Sequence, residues 1–409
     1  MPGPHPHPKS DHPVTRLGSW AVCALIALLS ACSGATDNGK GSAVFYPPLP
    51  NRPRIQFLTS YTSAEDIEQT SALSEFVVGK DDASKGGLGK PYSASLVGDR
   101  VVVSDASAHE IFVLDLAAHE FRPLKGNTGG GRARQPMQVT STPDGTIYVA
   151  DGTRNQVLAY GPDESFLRAY GTEGLMKAAG VAVKDDEVYV CNLKNNDIIV
   201  FDRLTGAVKR RIGGGGKDPG KFYIPTNVAV GPDGDLYVSE TGNFRVQRLH
   251  PDGTHVRMYG GLGDGPGGFS RPKGVAIDPD GRLYAVDAAF ENVQIFDKDG
   301  QLLLFFGGPG NDPGNLVLPA GIDISARGIE RFQKLADVRL KVRHVILVVS
   351  QYGARRVNVY GFGDWLGPEK DLPAPAKAAV PSGTAAPTTP KGLGDVEDLP
   401  EPATTPKAP

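Results

Sequence analysis

Short runs of alternating apolar and polar residues, broken by clusters of Gly, Pro, Asp and Asn, extend from about residue 52 to residue 363. That is the pattern of half-buried β-strands joined by turns. The runs repeat. VVVSDASAHEIFVLD, IYVADGTRNQVLAY, VYVCNLKNNDIIVF, LYVSETGNFRVQRL, LYAVDAAFENVQIF and ILVVSQYGARRVNVY share one layout, in which a strand ends at a short polar residue (Asp105, Asp151, Asn192, Glu240, Asp287, Gln351). In each the next strand opens six positions later, at Ile111, Val157, Ile198, Val246, Val293 and Val357.

Successive strand-ending residues are 46, 41, 48, 47 and 64 positions apart. Before each pair lies a further strand (GVAV at Gly180, NVAV at Asn227, GVAI at Gly274, GIDI at Gly321), and after it another (LRAYG, VRMYG, LLFFG). Four antiparallel strands, a to d, in a unit of some forty residues describe a propeller blade. The predicted fold is all-β, a six-bladed β-propeller over residues 52–363. The sixth unit has no strand d of its own. RPRIQFLTSY, Arg52 to Tyr61, is a strand without a partner, and aligned on HVRMYGG it places Ile55 on Val256, Phe57 on Met258 and Leu58 on Tyr259. The N-terminal strand is therefore expected to complete the last blade and close the ring without a long open edge.

The unit GLGDGPGGFSRPKGVAIDPDGRLYAVDAAFENVQIFDKDGQLLLFFGG resembles the NHL repeat family, whose members form six-bladed β-propellers. The resemblance is strong around Asp151, Glu240 and Asp287 and weaker around Asp105, Asn192 and Gln351. It excludes both ends of the chain. At the N-terminus, Lys9 and Arg16 precede the apolar run WAVCALIALLSA, which is too short to span a bilayer comfortably. It ends in Leu29-Ser30-Ala31-Cys32, which resembles the bacterial lipobox. The resemblance implies removal of residues 1–31 and acylation of Cys32, and acyl chains worth about 0.8 kcal/mol per buried methylene make a durable anchor. Ser33 follows the cysteine, so resemblance to the usual sorting pattern points to the outer membrane of a Gram-negative bacterium. Residues 32–51 read as a flexible linker, and 364–409 as a Pro-, Ala- and Thr-rich tail too poor in apolar residues to fold.

Composition adds limits. A formal charge of −3 gives no polybasic footprint, so nucleic acid is not an implied partner. Of three cysteines, Cys23 leaves with the signal and Cys32 takes lipid, so no intramolecular disulfide remains for Cys191, which fills the small strand position of Ala150 and Ser239.

Strand polarity sorts the connections onto two faces. The a–b and c–d hairpins (TPDG, GPDG, DPDG, HPDG, DKDG) are tight and stereotyped, whereas the b–c turns and d–a crossovers are longer and more variable, which is where recognition resides on a rigid scaffold. On that second face the acid and amide ring of Asp105, Asp151, Asn192, Glu240, Asp287 and Gln351 invites two readings. One is a pore-bound divalent cation, as in lactonase-like propellers. The other, favoured because the residue recurs in nearly every blade, is turn capping. The crossovers bring Lys90, Arg132, Arg134, Lys177, Lys221, Arg271 and Lys273 to the same face, as a binding rim or as solvated partners of the acids.

The histidines show no HExxH or paired spacing, no GxSxG occurs, and only His109 lies in a b–c turn, so no catalytic constellation or cofactor is indicated. The expected function is a membrane-anchored propeller facing the periplasm or the cell surface and acting as a protein- or ligand-binding scaffold. The alternative is a metal-dependent hydrolase or lyase of the lactonase-like or amidating-lyase-like kind. A basic insertion in the sixth unit, SARGIERFQKLADVRLKVRH, has Ile329, Phe332, Leu335 and Leu340 in an approximate helical stripe. It is expected to emerge beside the lipid linker on the hairpin face and to rest on anionic lipid or a membrane partner.

Overall fold

The computed structural model of the protein describes residues 43–68, 86–172 and 174–368, together with Gly3. The signal segment, Cys32, most of the linker and the tail beyond 368 lie outside the described residues. Six antiparallel sheets stand in a ring. Blades 1 to 5 take strands a to d in chain order: Pro91–Val97, Arg100–Asp105, Glu110–Asp115 and Glu120–Pro123; Pro136–Ser141, Ile147–Asp151, Gln156–Tyr160 and Phe166–Tyr170; Ala178–Lys184, Glu187–Asn192, Asp197–Asp202 and Val208–Gly213; Pro225–Val230, Leu236–Glu240, Arg245–Leu249 and His255–Tyr259; Pro272–Ile277, Leu283–Asp287, Asn292–Phe296 and Leu302–Gly307. Blade 6 is assembled from both ends of the chain. Its order is Pro319–Ser325, Leu340–Ser350, Val357–Trp365, then Ile55–Tyr61 as strand d and Phe45–Tyr46 as a fifth strand outside it.

The b and c strands are apolar on both faces because each blade packs between two others. Ala150 and Val157 of blade 2, for example, meet Val188 and Val190 of blade 3 in one buried cluster. At the inner edge the a strands approach closely enough to require glycine. A Cβ on Gly180 would lie 2.7 Å from Gln138 Oε1 and 2.8 Å from the Thr226 carbonyl. Through that gap Gln138 of blade 2 donates to the Val228 carbonyl of blade 4 (2.9 Å).

The closing strand is the one expected, in a different register. Tyr61 pairs with Val357 as Tyr259 pairs with Val246, so Tyr61 occupies the Tyr259 position and Leu58 falls in a bulge between Phe57 and Thr59. The deciding position is the last apolar residue of strand d or just beyond it: Leu124, Tyr170, Ile212, Tyr259, Phe306 and Tyr61 are all buried between blades. The strand is also longer-lived in the chain than the linker boundary at 51 anticipates, since Phe45 pairs with Gln56 and packs on Trp365, 5.5 Å between ring centroids.

The insertion is turns around one short helix, and its end joins a strand. Only Ile329–Gln333 is helical, with Phe332 buried under blade 1, whereas Leu340 opens a b strand that pairs with Trp365. These extensions project past the hairpin face as a two-stranded spur. Three of the six cations of the insertion are in ion pairs: Arg331 with Asp99 (3.2 Å), Arg339 with Asp337 (2.9 Å) and Arg343 with Asp280 (3.1 Å). Phe45, within the expected linker, packs on Leu340 and Trp365 of the spur, but the chain does not leave in that direction. Phe45–Tyr46 runs antiparallel to strand d, so its N-terminal end points toward the crossover side, where Val44 packs on Gly314 of the blade 5–6 crossover.

Candidate functional site on the crossover face

Each ring residue ends a b strand opposite the first residue of strand a. Asp105 accepts the Gly89 and Lys90 backbone N–H groups (2.6 and 3.1 Å) from the incoming crossover and those of Ser107 and Ala108 (both 3.0 Å) from the b–c turn. Asp151 does the same with Arg134, Gln135, Thr153 and Arg154 (2.6 to 3.2 Å), and Asp287 with Ser270, Arg271, Ala289 and Phe290 (2.7 to 3.1 Å). Asn192 Oδ1 accepts from Lys177 and Lys194 N–H (2.8 and 3.0 Å). Glu240 accepts from Tyr223 N–H (2.9 Å), Gln247 Nε2 (2.7 Å) and Arg245 Nε (2.7 Å). All five are fully buried latches between crossover and turn.

The sixth member is Ser350. It, and not Gln351, pairs with the first residue of strand a, Pro319, and its hydroxyl accepts the Val317 N–H (3.2 Å). Gln351 sits one residue into a b–c turn that is one residue longer than the others, and is only partly buried. Among the described residues no three His, Cys, Asp or Glu side chains converge as a metal-holding group.

The cations of the same face are placed differently. Arg132, Arg134, Lys177, Lys221 and Arg271 are exposed, and Lys90 and Lys273 partly so. Lys90 Nζ lies over the Tyr352 ring (5.2 Å) and Lys221 Nζ donates to the Gly213 carbonyl (3.1 Å). Lys273 stands near the inner edge, where desolvation, reinforced by the Arg271 charge, lowers its pKa to about 8. Among the described residues none of the seven is in an ion pair. The contrast with the hairpin side is sharp: there Arg100 and Arg122 grip Glu164 (2.6 and 2.7 Å), Arg203 holds Asp144 (2.6 Å), Arg210 holds Glu187 (2.5 Å), Arg248 bridges Asp233 and Asp235 (both 2.7 Å) and Arg282 bridges Asp278 and Asp280 (2.7 and 2.5 Å). On the crossover side Asp105, Asp151 and Asp287 are spent on backbone amides, and Glu240 on Arg245, Gln247 and the Tyr223 N–H, so none of them pairs with the seven cations.

One concavity of this face, about 710 Å³, lies beside blade 2. Gly129, Gly130, Arg132, Ala133 and Arg134 of the blade 1–2 crossover line it, together with Thr153, Arg154, Asn155 and Gln156 of the b–c turn and Gly174. Three positions before strand a the other crossovers carry Leu88, Leu175, Phe222, Phe269 and Leu316, whereas blade 2 has Ala133. Arg154 and Asn155 were not singled out in the sequence, although TRNQ stands in a turn where the other blades vary most. Ser350 and Gln138 carry no signal outside register.

A family model described as NHL repeat matches residues 222–249, which span the Phe222 plug and strands a to c of blade 4. Similar solved structures include a protein of unknown function from Bacteroides thetaiotaomicron, at 17% identity and TM-score 0.53 over 75% of each chain. A streptogramin B lyase is 16% identical, with TM-score 0.48 over 67% of this chain and 83% of its own. A gluconolactonase from Xanthomonas campestris is 12% identical, with TM-score 0.49 over 76% and 98%. At these identities the likeness is one of fold. With an NHL repeat matched in blade 4 and five more blades built on the same strand order, the chain is a six-bladed β-propeller that carries an NHL repeat.

Proposed function

We propose that the protein is a binding scaffold whose crossover face recognises an anionic partner. The observation that carries this reading is the set of seven cations with no carboxylate partner among the described residues, next to buried aspartates that already accept backbone N–H groups. Charge left unpaired on one side of a rigid disc speeds and orients the approach of an anionic surface. The Leu29 to Cys32 resemblance supports a lipid-anchored location, in which Cys32→Ser gives a protein released from membranes by high-salt and carbonate washing. Retention after such washing would sink the anchor.

Crosslinking in membranes tests the face. Reversal of Lys90, Arg134 and Arg271 to Glu is expected to abolish capture of the parent protein's partner, while reversal of Arg331 and Lys334 on the hairpin side leaves it intact. Equal capture by both variants would refute the assignment. The alternative reading, a metal-dependent hydrolase or lyase, requires the ring carboxylates to leave their amides. Stoichiometric calcium or zinc in protein purified without chelator would revive it.

A further inference from the structure

The concavity beside blade 2 is more than a stretch of the rim. Its described lining holds three arginines and no carboxylate. Arg154 is fixed in place: Nη1 donates to the Gly130 and Arg132 carbonyls (both 2.8 Å) and Nε to Gln156 Oε1 (3.1 Å). Those bonds leave Nη2 unused among the described residues. Arg132 and Arg134 supply two further guanidinium groups with no acid to hold them, on either side of Ala133. Arginine clusters of this kind suit oxyanions because each planar fork offers two parallel donors. The site also contains an orphan acceptor. Asn155, held at φ 57° by the turn, has its Oδ1 buried without any donor. A buried amide oxygen left unpaired costs about 1–3 kcal/mol, which is recovered when the side chain turns outward onto a ligand hydroxyl or N–H.

We propose that this concavity is a specific site for a small ligand that combines a carboxylate or phosphate group with a hydroxyl or N–H donor. The oxyanion meets Arg132, Arg134 and Arg154, and the donor meets Asn155 Oδ1. The proposal rests on the crossover face being the recognition surface and names the chemistry it selects.

Calorimetric titration of the full-length protein at low ionic strength tests it, with inorganic phosphate, citrate, and tricarballylate (citrate without its hydroxyl) as probes. Saturable binding of phosphate or citrate is expected, which separates the two oxyanion classes. An affinity at least about tenfold lower in Arg132→Ala/Arg134→Ala, but unchanged in Lys298→Ala in an exposed hairpin of the opposite face, would establish the arginines. Citrate should bind about fivefold more tightly than tricarballylate, the worth of one hydrogen bond, and Asn155→Gly, which keeps the positive φ, should erase the difference. No saturable binding, or equal binding by the double variant and the parent, overturns the site. If the Lys90, Arg134 and Arg271 reversal still abolishes partner capture in that case, the face stands without the pocket; if it does not, both fall.

Discussion

Asp323 and His344 act on stability with opposite signs. Asp323, on strand a of blade 6, accepts the Leu96 N–H of blade 1 (2.9 Å), and desolvation between the inner strands raises its pKa from 3.8 to about 6. The folded state therefore holds a proton that the unfolded chain releases, and stability falls as pH rises from about 4 to 6. His344 is buried, stacked on Phe362 (4.7 Å between centroids), and burial holds it below its ordinary 6.5 despite Asp278 nearby. Its contribution is complete above 6.5 and is lost as pH falls below that value. In the parent the two slopes oppose each other. Urea midpoints should show that Asp323→Asn acquires a net loss of stability on acidification through this window, and His344→Phe a net gain; parallel profiles for parent and variants would refute the assignment. The latches give a second test. Asp287→Ala removes a buried acceptor of four backbone N–H groups and should cost about 3 kcal/mol or more, whereas Gln351→Ala should stay within about 0.5 kcal/mol. That contrast marks what the sequence can show of single residues. Asp105, Asp151, Asn192, Glu240 and Asp287 stand out because repetition fixes their spacing. Ser350 escapes because one extra residue in its turn moves the count, and only strand pairing restores it.

At the scale of elements, the ring is closed by one strand from the other end of the chain. Tyr61 fills the interblade position that Tyr259 fills in blade 4, so Tyr61→Ala should destabilise by about 3 kcal/mol, as large-to-small core changes do. A chain beginning at Ala64 should lose cooperative unfolding, since strand c of blade 6 would be left as an open edge. Unchanged urea midpoints for both would contradict the closure. The existence of this strand is legible from its alternation and from the missing strand d. Its register is not, because Leu58 and Tyr61 both offer a large apolar residue for the interblade position, and only the pairing of Tyr61 with Val357 decides between them. The insertion misleads for a related reason. Ile329, Phe332, Leu335 and Leu340 do share a helical spacing, but Leu340 also continues the alternation of Val342 and His344, and the pairing with Trp365 decides for strand.

For the whole molecule, the two faces differ in how charge is settled and not in how much of it there is. The net charge of −3 conceals this, because carboxylates that accept backbone N–H groups count as acids in composition while offering little to neighbouring cations. The blade count and the assignment of connections to faces follow from the sequence. The pairing of each cation does not, since it depends on which acids the backbone has already claimed. The path of the N-terminal chain has a mechanical side. If the N-terminus is anchored, pulling on residue 43 meets Phe45–Tyr46 first, a strand held by two residue pairs, and only afterwards the seven-residue Ile55–Tyr61. Peeling the outer strand and straightening the loop behind it would release roughly 30 Å of chain while the ring stays shut. The fifth strand is thus a slack reserve that yields before the closure is loaded. Under optical tweezers, extension from the N-terminus should show one short early step ahead of the main unfolding event. Replacement of Phe45 and Tyr46 by Ala should remove that step and leave the main event in place, and a single transition in the parent would exclude the reserve.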